Sequence, residues 1–100
     1  MALSYSEIIT KFNEHLKKSG KKYYSDFYIG ISNDAESRLF NQHHVSRDNS
    51  WWIYTTASSE KDARDVEKFF LDKGMRGGTG EETSNSKMVY CYAITPTTTE

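Results

Sequence analysis

The sequence predicts a small α+β domain of element order α-β-α-β-α-β, three helices packed on a small three-stranded sheet. Three observations carry this reading. Apolar residues recur at helical spacing behind capping residues, aromatic and β-branched runs lie between those segments, and 100 residues allow one domain with one modest core.

Helix one is expected over residues 4–19. Ser4 and Glu7 have capping-box spacing, Gly20 supplies a left-handed stop, and Tyr5, Ile8, Ile9, Phe12 and Leu16 form an apolar stripe. Residues 23–32 read as a strand, with Gly30 marking a kink or a close approach to the backbone. Asn33 and Glu36 stand at capping distance and open helix two, expected to last to His44. Residues 51–55 form a second strand. Ser59 and Asp62 start helix three, which Gly74 ends, and residues 74–86 read as a mobile loop.

Residues 87–95 alternate as a third strand. Val89, Cys91 and Ala93 fall on one face, and Met88, Tyr90, Tyr92 and Ile94 on the other. Pro96 ends it, leaving 96–100 as a frayed tail. Helices that separate the strands leave room for parallel pairing.

Composition narrows the class. Charged residues make up 27% of the chain and its mean hydropathy is -0.78, while seven Tyr, five Phe and two Trp still supply a core. The single Cys91 rules out an internal disulfide, and no Cys/His spacing suits zinc, so a reducing, cytoplasmic setting is expected. No apolar run approaches the ~20 residues of a membrane span, and no signal-peptide core is evident. Oligomeric state is left open.

Net charge is -1, but residues 1–22 carry +3 and the rest -4. Lys17, Lys18, Lys21 and Lys22 form a basic cluster that suits either a phosphate backbone or the negative end of a helix dipole.

Three residues point to chemistry. Glu67 lies in the apolar arc of helix three between Ala63 and Leu71, where a carboxylate must be paired, coordinate a cation or line a cleft. Arg38 flanks the inward face of helix two, and its planar fork suits a phosphate or a carboxylate, Glu67 included. Tyr28 sits on the strand feeding that helix, two residues before Gly30. Packing alone also explains a strand tyrosine.

Tyr28-Ile29-Gly30, followed by Ile31-Ser32-Asn33-Asp34 and Arg38-Leu39, resembles the second half of the GIY-YIG nuclease motif. Ala63-Arg64-Asp65-Val66-Glu67 is similar to the family's later glutamate segment, so the resemblance covers roughly residues 27–74. The family's first strand is absent before Tyr28. Met88-Val89-Tyr90 takes its place if the third strand pairs directly with residues 26–32. A histidine often follows the family's arginine by four residues, whereas His43 follows Arg38 by five, and Asn85 is a poor match to the family's late asparagine.

The resemblance implies single-metal hydrolysis of a phosphodiester. Glu67 would hold Mg²⁺, Arg38 would neutralise phosphoryl charge, and Tyr28 with Tyr90 would orient or deprotonate water. A tyrosine base needs its pKa lowered from about 10.

Other features carry less. The glycine-rich run containing Gly77 and Gly78 offers backbone amides to a phosphate or serves as a flexible helix exit, and lacks the P-loop ending. Trp51 and Trp52 stack on bases or divide between the two sheet faces. Adjacent His43 and His44 do not suit a shared metal. The rival class is a non-catalytic binding protein for a nucleotide, another phosphorylated ligand or a protein partner, of the kind a phage uses as an accessory or inhibitor.

Overall fold

The computed structural model describes residues 2–20, 23–46, 51–77, 87–96 and 98. Helix α1 (Tyr5–Lys17) begins at the expected capping box. The Ser4 N–H donates to Glu7 Oε1 at 2.9 Å and the Glu7 N–H to Ser4 Oγ at 3.4 Å. Gly20, at φ +81°, takes the left-handed turn after the helix.

The first strand is shorter than its aromatic run. Residues 24–26 make a 3₁₀ turn, and β1 spans Phe27–Ser32. Tyr24 leaves the sheet because it is held elsewhere: its hydroxyl donates to Asn13 Oδ1 at 2.9 Å, and its ring packs 6.0 Å from that of Phe70.

Helix two also departs from expectation. Asp34, not Asn33, is the capping residue, with Oδ1 accepting from the Ser37 N–H at 3.2 Å, while the Asp34 N–H donates to Ser32 Oγ at 2.9 Å. Residues Ser37–Gln42 then form a π-helix, closed by the His43 N–H donating to the Arg38 carbonyl at 2.8 Å. His44, at φ +57°, turns the chain out of it.

Strand β2 (Trp52–Thr56) precedes helix α2 (Glu60–Asp72), whose first turn is capped by Ser59 Oγ accepting from the Asp62 N–H at 3.1 Å. Gly74, at φ +112°, follows the helix, and β3 spans Met88–Ala93.

The architecture is α+β, with three helices on a three-stranded sheet of order β1-β3-β2. Both pairings are antiparallel, which overturns the allowance for parallel ones. The helical crossover does send β2 in the direction of β1, but β3 inserts between them and pairs with each. The C-terminal strand therefore pairs directly with the Tyr-Ile-Gly strand: Tyr28 opposes Tyr92, Gly30 opposes Tyr90 and Ser32 opposes Met88.

Alternation along β3 separates two cores, as the sequence predicts. Phe27, Ile29, Ile31, Val89, Cys91 and Ala93 bury against Ile8, Phe12, Leu16, Ala63, Val66 and Phe70 of the two α-helices. Tyr28, Tyr90 and Tyr92 bury against Ala35, Leu39 and Val45, from the π-helix and its flanks.

Short parallel bridges cover both edges. Leu3 pairs with Ala57 beyond β2, and Arg76 with Tyr28 beyond β1. Arg76 of the expected glycine-rich loop is therefore bridged to the sheet edge, and residues 78–86 lie outside the described residues. Of the expected frayed tail, the Thr98 N–H donates to the Thr95 carbonyl at 3.1 Å, and residues 97, 99 and 100 lie outside the described residues. Among the described residues no helix is long and apolar enough to cross a membrane.

Candidate active site

The tyrosine face of the sheet is built around Tyr90. Its cross-strand partner is Gly30, and a Cβ at Gly30 would fall 2.5 Å from both Tyr90 Cζ and Oη. Only a glycine lets that ring lie flat over β1, which is the close approach the sequence predicts there.

His43 fixes the ring's tip. Its Nε2 is 2.9 Å from Tyr90 Oη, and its Nδ1 is 3.1 Å from Tyr92 Oη. One imidazole thus joins two phenols from alternate residues of β3. Tyr28 packs beside all three, with ring centroids 4.8 Å from His43, 5.2 Å from Tyr92 and 6.4 Å from Tyr90.

Arg38 and Glu67 act on the same phenol. Burial pushes the Tyr90 pKa well up from its ordinary value. Nearby Tyr28 adds to the rise, the Arg38 guanidinium opposes it, and the Glu67 carboxylate raises it again. These groups come from β1, the π-helix and α2, so the fold brings Tyr28, Arg38 and Glu67 within electrostatic reach of Tyr90 on β3. The direction is opposite to the lowering that an isolated tyrosine base requires.

Each element places its residue for a local reason. Glu67 is 7% exposed on the buried arc of α2, beside Ala63, Val66 and Phe70, where helical periodicity puts it. Arg38 is half-buried, and its Nη1 donates to Gln42 Oε1 at 3.2 Å. The π-helix bond from His43 N–H to the Arg38 carbonyl spans five residues, so these two side chains stand one turn apart, as residues four apart do in an α-helix. The spacing of five between Arg38 and His43 is thereby accounted for.

The remaining sequence candidates are placed elsewhere. Lys17 lies in the last turn of α1 and Lys18 is its C-cap; both are exposed on the helix layer across the sheet from Tyr90. Lys21, Lys22 and Gly78 lie outside the described residues. Gly77 is a packing glycine, since a Cβ there would come within 2.7 Å of the Ile29 carbonyl oxygen. Trp51 stacks on His15 at 4.6 Å and Trp52 meets Phe40 edge-on at 5.0 Å, one on each side of the sheet, and both are half-buried. His44 is exposed and turned away by its backbone.

The sequence places His43 five residues after Arg38 and Tyr92 on the face of Tyr90, but singles out neither as a site residue. The available signals were the shared face of Tyr90 and Tyr92 and the five-residue step from Arg38 to His43. Both become informative only once helix two is known to be π.

Among the described residues no group of three or more His, Cys, Asp or Glu side chains is placed to hold a metal ion. Glu67, 7% exposed, is the carboxylate that stands nearest to Tyr90 in electrostatic effect. An open groove of about 530 Å³, lined by Tyr5, Asp65, Lys68, Phe69, Asp72 and Lys73, lies on the helical side and includes none of the cluster. No protein-family model, no curated protein and no solved structure matches this chain.

Proposed function

We propose that this protein is a GIY-YIG-like, Mg²⁺-assisted phosphodiesterase that acts on nucleic acid, with Tyr28, Arg38, His43, Glu67 and Tyr90 as its working residues. The observation that carries the reading is the gathering of a guanidinium, a carboxylate and a second phenol about Tyr90, whose hydroxyl is bonded to an imidazole. Two further observations support it. The C-terminal strand occupies the neighbouring position that a displaced first motif needs, and the π-turn puts His43 one turn after Arg38.

The raised pKa of Tyr90 shapes the mechanism. The phenol stays protonated, so it works as a relay. As a water oxygen bonds to phosphorus, its proton passes to Tyr90 Oη while the Tyr90 proton passes to His43 Nε2. The charge ends on the imidazole, with Nδ1–H donating to Tyr92 Oη, and the phenolate never forms. Arg38 offsets the charge gathering on the phosphoryl oxygens. Mg²⁺ held by Glu67 would supply polarisation of the phosphate and stabilisation of the leaving oxygen. The bond to that oxygen breaks, and it takes a proton from solvent.

Incubation of supercoiled plasmid and labelled oligonucleotides with Mg²⁺ tests the reading. Nicking or cutting by the wild type should fall at least about a hundredfold in Glu67→Ala and in Arg38→Ala. Cutting that survives both changes would reject it.

The protonated Tyr90 also favours a second reading, a binding site that donates hydrogen bonds to a nucleotide or other phosphorylated ligand without cleaving it. Purified protein that never cuts, yet melts higher with nucleotide present, selects that alternative. Cytoplasmic residence belongs to the same proposal and is supported by the free, buried Cys91.

A further inference from the structure

Helix α2 has two unlike sides. Ala63, Val66 and Phe70 bury toward the sheet, and Lys61, Asp65, Lys68 and Asp72 lie on the opposite side of the helix. Steps of four, three and four residues place those four side chains in one stripe. Every member of the stripe carries charge, and the signs alternate along it: plus, minus, plus, minus. Lys61 and Asp65 are joined within the helix at 2.7 Å, yet their side chains keep 82% and 43% exposure, so both charges still reach solvent.

Such a stripe is its own complement in one arrangement. A second copy of the helix laid antiparallel, with a two-fold axis crossing midway between Asp65 and Lys68, meets the opposite sign at every position. Asp65 then faces Lys68 of the second copy and Lys61 faces its Asp72, and the symmetry repeats each pair. A parallel arrangement sets like charge on like. The same axis keeps matching flanks on one side of the stripe. The half-buried Phe69 and the exposed Tyr5, whose rings meet edge to face at 6.3 Å, therefore lie on the same side as their counterparts. These two rings, with Asp65, Lys68, Asp72 and Lys73, line the open groove of the helical side. A net charge of -1 leaves little general repulsion between copies.

We propose that α2 is a self-association surface, and that its partner is a second copy of this chain held antiparallel across the charged stripe. A helix of 13 residues is about 20 Å long, so the interface is small and the dimer forms at micromolar concentrations or above. The tyrosine face lies across the sheet and stays uncovered. The proposal thus goes beyond the phosphodiesterase reading and does not rest on it.

Sedimentation velocity of the full chain, from about 10 to 500 μM in low and in high salt, tests it. The wild type should dimerise across that range, with a dissociation constant at least about tenfold larger in high salt. Asp65→Lys and Lys68→Asp should each weaken association at least about tenfold, because each sets two like-charged pairs against one another. An equal mixture of the two variants should associate as tightly as wild type, and so should the chain carrying both changes. Circular dichroism shows that each variant is folded, and where one is not, the wild-type concentration and salt series decides. A wild type that stays monomeric throughout overturns the proposal. So does a dimer indifferent to salt or to either charge reversal, or a mixture that associates no better than its parts.

Discussion

The two faces of one three-stranded sheet are built to different ends. Toward the α-helices, β1 and β3 present Phe27, Ile29, Ile31, Val89, Cys91 and Ala93, side chains whose contribution is burial. Toward the π-helix the same strands present Tyr28, Tyr90 and Tyr92, and the helix answers with His43. Every polar tip buried there has to be satisfied. Among the described residues no buried side-chain nitrogen or oxygen lacks a partner. The first face contributes apolar burial, while the second holds polar atoms in a fixed, hydrogen-bonded array.

The largest effect expected from breaking this contrast lies on the helical face. Phe70, fully buried and 6.0 Å from the Phe12 ring, should cost about 3–5 kcal/mol as Phe70→Ala in urea unfolding. A loss much below that would mean the helical face is not the main source of stability. Gly30→Ala comes next. Its Cβ would fall 2.5 Å from the Tyr90 ring, so an overpacking cost of about 1–3 kcal/mol should accompany loss of any cutting activity. Tyr92→Phe deletes the 3.1 Å bond to His43 and should cost about 1–3 kcal/mol, with activity falling further than stability. Equal activity in Tyr92→Phe and wild type would remove the outer phenol from the relay.

Smaller effects sharpen the comparison from outside the tyrosine face. Burial holds the His15 pKa below 6.5, partly offset by its bond to the Trp52 carbonyl, with Lys18 and Lys11 adding to the depression. The unfolded chain then takes up a proton that the folded chain resists. Melting temperature should fall as pH drops through about 6.5 and downward, and the trend should flatten in His15→Gln. Matching pH profiles for the two proteins would contradict this. Cys91 is fully buried with its thiol pushed well up, so it should resist Ellman's reagent until urea unfolds the chain.

Much of this contrast was legible before any coordinates. The alternation of residues 88–93 separates the two cores, and the periodicity of α2 turns Glu67 inward. Gly30 announces a close approach without naming Tyr90, because its partner lies 60 residues further along the chain. The antiparallel order was hidden for the same reason, since nothing local tells β3 to insert between β1 and β2. The π-helix was hidden because Ser37–Gln42 has an ordinary helical composition, with nothing in it that marks i→i+5 bonding. Without it His43 reads as one of two adjacent histidines, one residue out of step with the family's spacing from Arg38. The edge position of Arg76 was masked by the glycines that surround it.

The proposed function depends on Glu67, Tyr90 and His43 sharing one environment that receives a divalent cation. Side-chain NMR, with ¹³C-labelled tyrosine and ¹⁵N-labelled histidine, reads this directly during a Mg²⁺ titration. The Tyr90 and His43 signals should move in the wild type and stay still in Glu67→Gln. Signals that never move, or that move equally in both proteins, would contradict it.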